Sequence, residues 1–232
     1  MKAYQRLMPG SARFWSTDMG LSALLGSLTI YIFVVSPLSR HYHVGKVVHV
    51  FFALVLLSGL LGTSPGARFR PWMLMAAVSA VLFRWISQEN AVRLWVGLGY
   101  GCSSLFFGLS VIQLLARVFQ RGPKTAHRVR GAVAVYLMLG LLWVSFYQLV
   151  ELLSPGAFRF PDNPDGTPLP DAAQQSALIY FSFVTLTTVG YGDVVAVEPF
   201  ARSLAVMEAL SGQLFPAVLL ARIVALQVSE EQ

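Results

Sequence analysis

The chain has 232 residues and a formal net charge of +6, with 56% hydrophobic residues against only 12% charged. Soluble domains carry roughly 25% charged residues, so the composition excludes an ordinary soluble globule and indicates an all-α membrane protein. The basic excess lies at the edges of apolar runs, where it reads as an orientation signal rather than a nucleic-acid surface, and no nucleic-acid partner is expected.

Apolar runs near the roughly 20-residue length of a bilayer-spanning helix fall at 19–38, 44–62, 71–87, 94–116, 132–153 and 198–227, which predicts six transmembrane helices. The first begins too late and runs too long for a cleaved signal peptide. The second and third are short, so a re-entrant pair is the alternative there; flanking basic residues and Pro71 favour two spans. Three histidines nearby, His41, His43 and His49, lack the carboxylate or thiol cluster of a metal site and suit an interfacial role. Lone Cys102 excludes an intrachain disulfide and a Cys-based metal cluster.

Between the fourth and fifth spans stand Arg117, Arg121, Lys124, Arg128 and Arg130 without an acidic residue, which assigns this linker to the cytoplasm. Counting back places the N-terminus, with Lys2, Arg6 and Arg13, on the same side, and leaves the basic Arg40–Lys46 loop outside as an exception. The polar Gln120-Arg121-Gly122-Pro123-Lys124 stretch divides a four-helix membrane domain, residues 1–120, from a second module, residues 121–232. In the second module, Ser154–Gln174 is rich in proline and carries Asp162, Asp165 and Asp171, either a cation-concentrating outer loop or a solvated connection.

Residues 174–187 read as a short helix rich in Phe, Tyr and hydroxyl groups, and 198–228 as a long apolar helix opened by Pro199. Between them lies Thr188-Val189-Gly190-Tyr191-Gly192-Asp193. Glycine-rich tripeptides are common in turns, but non-helical backbone between two membrane helices is tolerated where it lines an aqueous path. The stretch resembles a potassium-channel selectivity filter, and residues 121–232 resemble the pore-loop ion-channel family. Such filters replace the water shell of K⁺ with rings of backbone carbonyls contributed by four loops, and glycine permits the conformations that aim alternate carbonyls at one axis.

The resemblance implies K⁺ as permeant ion, with Thr188, Val189, Gly190 and Tyr191 as its ligands. It also implies supporting roles for Tyr180, Thr187, Gly192 and Asp193, and a homotetramer, since the motif occurs once. Asp193 would stand at the outer mouth, which agrees with the cytoplasmic linker. Two departures thin the support behind Asp193: Tyr180 and Phe181 replace the tryptophans of many relatives, and Val184 replaces a glutamate found in some bacterial ones.

Four helices before a pore module resemble the voltage-gated layout, yet the fourth span has no Arg or Lys between Arg93 and Arg117. Each charge crossing the field contributes about 2.3 kcal/mol per 100 mV, so weak voltage dependence is expected. The chain therefore looks like the bacterial six-transmembrane type without a charged sensor. Arg84, late in the third span, reads as an interfacial snorkelling side chain or as a residual sensor charge.

In the last helix Pro216 cannot donate to the Gly212 carbonyl, and Gly212 falls where many potassium channels carry a hinge glycine. A gating hinge and a static kink are both open. Gln213 would face the cavity, with Ala221, Val224 and Val228 at the inner mouth. Glu208 is a carboxyl in a spanning helix, where such groups turn to water or to a hydrogen-bonding partner; Ser182 or Thr185 are candidates. It acts either as a proton sensor or as a protonated structural hydrogen bond.

A K⁺-selective channel that passes ions passively across the cell membrane is expected, with both termini cytoplasmic and lipid as its surroundings. No cofactor, no enzymatic activity and no soluble ligand-binding domain are expected on this chain: Gly-x-Ser-x-Gly, His-Glu-x-x-His and paired catalytic carboxylates are not found. The alternative is a non-selective or non-conducting regulatory subunit.

Overall fold

The computed structural model describes residues 18–38, 45–62, 70–89, 92–119, 125–161 and 169–230. Lys2, Arg6, Arg13, Arg40, His41, His43, the 120–124 stretch, Asp162 and Asp165 lie outside them, as do the side chains of Arg128, Val224 and Val228.

Helix α1 runs Asp18–Ile30 and continues through a π-helical turn, Tyr31–Val35, into Ser36–Leu38. Then follow α2 (Gly45–Gly62), α3 (Arg70–Glu89), α4 (Arg93–Val118) and α5 (Thr125–Leu153). Next come the two-residue strand β1 (Phe158–Arg159), the short helix α6 (Asp171–Leu186), β2 (Val195–Ala196) and the long α7 (Pro199–Glu230). Four of these helices are long and apolar enough to cross a membrane: Gly20–Leu38, Arg93–Val118, Val129–Leu153 and Pro199–Arg222. The apolar stretches of α2 and α3, Val48–Leu60 and Pro71–Ser87, are shorter. The protein is thus an all-α membrane protein.

Helix α5 is the hub, packed against α1, α4, α6 and α7. Small residues on it allow close approach, which in lipid replaces the hydrophobic drive that water would supply. At Gly140 a Cβ would come within 2.6 Å of the Phe183 ring, so the aromatic of α6 occupies the space of the missing side chain. One continuous apolar core joins both halves of the chain, from Leu24, Leu28 and Tyr31 in α1 through Phe106 and Phe107 in α4 to Met138, Leu178 and Leu186.

Two devices fix the connection between α6 and α7. Strands β1 and β2 pair antiparallel, with Phe158 opposite Ala196 and Arg159 opposite Val195. The Glu151 carboxylate accepts from the Gly156 and Phe158 amides at 2.9 and 3.0 Å, closing the turn before β1. Pro199 occupies the first helical position of α7, where its missing N–H costs nothing, and Glu198 caps the Ala201 amide at 2.7 Å.

Candidate functional site

The Thr188–Asp193 segment hangs from the C-terminal end of α6. The Val184 carbonyl accepts from the Val189 and Gly190 amides at 2.9 and 3.3 Å, the Thr188 amide donates to the Thr185 carbonyl at 2.9 Å, and the Thr187 hydroxyl back-bonds to the Phe183 carbonyl at 2.6 Å. Every second residue is left-handed: Thr188 has φ 60°, Gly190 58° and Gly192 78°. That conformation is open to glycine but costs an L-residue such as Thr188 roughly 1–2 kcal/mol. All residues from Thr187 to Asp193 are exposed in the single chain.

Beside this segment the Tyr180 hydroxyl of α6 lies close enough to Asp193 to interact with its carboxylate. Its ring also stacks on Tyr191 with a centroid separation of 6.5 Å and an interplanar angle of 4°. Asp193 Oδ1 accepts from the Val194 amide at 2.9 Å. Tyr180, Tyr191 and Asp193 are thereby brought together.

Behind the segment lies a buried polar cluster that joins α5, α6 and α7. Glu208 is fully buried. Its Oε2 accepts from the Tyr147 hydroxyl of α5 at 2.5 Å, and its Oε1 lies 2.5 Å from Ser182 Oγ of α6. Ser182 Oγ in turn donates to the Gly140 carbonyl at 2.9 Å. One turn along α7, Ser211 donates to the Glu208 carbonyl at 2.7 Å and accepts from the Trp143 indole at 3.2 Å. Of the two candidate partners for Glu208, Ser182 is the one it meets; Tyr147 and Trp143 carry no motif and were not legible in the sequence.

Gly212 has a reason for being glycine besides hinge or kink. A Cβ there would lie 1.9 Å from the Leu186 carbonyl oxygen, so α7 crosses the end of α6 at backbone contact. The Tyr136 hydroxyl donates to the same carbonyl at 3.0 Å. Helix α7 stays helical through Pro216. Gln213 and Pro216 are exposed on it, apart from the Glu208 cluster.

Arg84 has partners that the sequence did not show: Nε donates to His49 Nδ1 at 2.7 Å, Nη2 to Gln175 Oε1, and the guanidinium sits 4.7 Å from the Phe52 ring centroid. Gln175 Nε2 donates onward to the Tyr31 hydroxyl at 2.7 Å. A long polar side chain late in an apolar span was the available signal; its partner on α6 is 91 positions away in sequence.

Residues 169–228 match the family described as "Ion channel". The matched region begins just before α6 and ends within α7, taking in the Thr188–Asp193 segment and the Glu208 cluster except for its α5 members. No curated protein and no solved structure matches the chain.

Proposed function

We propose that this protein is a potassium-selective channel that passes K⁺ passively through a filter formed by Thr188–Tyr191 of four identical chains. The observation that carries the reading is the left-handed φ at 188, 190 and 192 within Thr-Val-Gly-Tyr-Gly. An alternation of this kind turns successive peptide planes so that their carbonyls can face one side, as ring-forming ligands require. The ion-channel match over 169–228 supports a pore built from α6 and α7.

In this reading α6 is a re-entrant pore helix and residues 121–232 form the pore module, while residues 1–120 form a four-helix domain without gating charges. Six spans then leave both termini in the cytoplasm of a bacterial-type channel. Thr187 and Gly192 shape the two ends of the filter, and Tyr180 braces Asp193 from behind. Gly212, Gln213 and Pro216 line or shape the cavity.

The homotetramer is supported by α7, of whose apolar window only 11% is buried within the chain against 61% for α5. Its exposed Val206, Met207, Leu210, Leu214 and Val218 call for cover by lipid and by other copies.

Purified protein reconstituted in liposomes tests the proposal. Flux driven by a K⁺ gradient and little flux under an equal Na⁺ gradient is expected. Equal fluxes would leave a non-selective pore, and no flux with either ion a regulatory subunit.

A further inference from the structure

The oxygens around Glu208 can be counted against the protons available to them. Three contacts need a hydrogen each: Tyr147 to Oε2, Ser182 to Oε1, and Ser182 to the Gly140 carbonyl. A hydroxyl carries one proton and a carbonyl only accepts. Tyr147 supplies the first. Ser182 has a single proton for the other two contacts, and Gly140 offers none in return. The remaining hydrogen can come only from the carboxyl group, as an O–H on Oε1 donating to Ser182 Oγ.

A second observation agrees. A buried carboxylate is costly unless paired with a cation. Among the described residues, the titratable side chains that face Glu208 from the packed helices are Tyr147 and Tyr136 of α5, and α6 contributes the hydroxyl of Ser182. An anion there would have two hydroxyl donors to share among its lone pairs, one of them already drawn to Gly140.

We infer that Glu208 is held as a neutral carboxylic acid, and that the chain Tyr147–Glu208–Ser182–Gly140 is a one-directional run of hydrogen bonds that positions α6 between α5 and α7. Tyr147, Glu208 and Ser182 each donate once along the run, which ends on the accepting Gly140 carbonyl. Glu208 acts here as a positioning residue: its carboxyl group bonds Tyr147 of α5 and Ser182 of α6, apart from the Thr188–Asp193 segment. It secures the helix from whose end that segment hangs. The role rests on the reading of α6 and α7 as a pore, whereas the protonation state does not.

Infrared difference spectroscopy of the full-length protein in lipid at neutral pH, wild type against Glu208→Gln, tests it. The expected difference is one protonated-carboxyl C=O band that shifts in D₂O; a carboxylate pair of bands in its place would overturn the inference. Tyr147→Phe supplies a second route should Glu208→Gln fail to fold. Loss of the hydroxyl on Oε2 should move the same C=O band to higher frequency, and an unmoved band would contradict the chain. Gln can donate to Ser182 and accept from Tyr147, so Glu208→Gln should keep K⁺ flux within about twofold at every pH, whereas Glu208→Leu should lose most of it. A wild-type pH response that disappears in Glu208→Gln would show a titrating sensor and overturn the neutral brace. The infrared band can be read whether or not the protein conducts, so failure of the channel reading and failure of this inference are separable.

Discussion

The two ends of the molecule are held together differently. In α1–α4 most hydroxyls satisfy themselves on their own helix, as Ser103 does on Gly99, Ser104 on Tyr100 and Thr29 on Leu25. The cross-helix polar contacts within these four helices, among the described residues, include Ser27 with Ser58, Arg84 with His49 and Gln113 with the Met73 sulfur. Around α6 the reverse holds: Tyr136, Trp143, Tyr147, Ser182, Glu208 and Ser211 bond from helix to helix. Apolar contacts in lipid are non-directional and allow sliding, whereas hydrogen bonds fix register. The α6–α7 region is therefore pinned and the first four helices are packed, with Arg84 reaching from one to the other.

The harshest way to break the pinned region is Gly212→Val. Its side chain would drive the Leu186 carbonyl away, and with it the start of the Thr188–Asp193 segment. Overpacking costs roughly 1–3 kcal/mol even where side chains can yield, and here the obstacle is backbone. K⁺ flux per protein should fall at least tenfold; near wild-type flux would mean that the close contact is dispensable.

Gly190→Ala comes next. Alanine at φ 58° costs roughly 1–2 kcal/mol per chain and reorients one carbonyl of the Thr188–Asp193 segment. Lost discrimination between K⁺ and Na⁺ with the protein still folded is the expected outcome, measured by ion flux and by thermal unfolding together.

Arg84→Gln sharpens the comparison instead of breaking it. Removing the charged donor to Gln175 releases the link between regions, and hydrogen bonds to charged groups contribute about 1.5–3 kcal/mol. Open probability in single-channel records should change severalfold while the K⁺/Na⁺ permeability ratio stays put. A changed ratio would mean that the first four helices shape the Thr188–Asp193 segment itself.

The smallest effect expected is on voltage dependence. No basic residue lies within α4 between Arg93 and Arg117, so the conductance–voltage curve should be shallow. A slope equivalent to several gating charges per chain would contradict that reading.

The sequence made the helices legible because each apolar run carries its own boundary signals. The span expected at 198–227 is met by Pro199–Glu230, and the short helix expected at 174–187 by Asp171–Leu186. The Thr188–Asp193 motif is local too. What stayed hidden depends on contacts across the fold. Tyr147 meets Glu208 from 61 positions away. A glycine needed for helix contact looks the same in sequence as a hinge, so Gly212 could not be read. The acceptors of Arg84, His49 and Gln175, are side chains on other helices and could not be paired with it from sequence.

The reversal potential of wild-type protein in a planar bilayer, with K⁺ on one side and Na⁺ at equal concentration on the other, tests the central claim most directly. A filter of Thr188–Tyr191 carbonyls predicts a large displacement in the direction set by K⁺ leaving its compartment. A reversal potential at zero would contradict it.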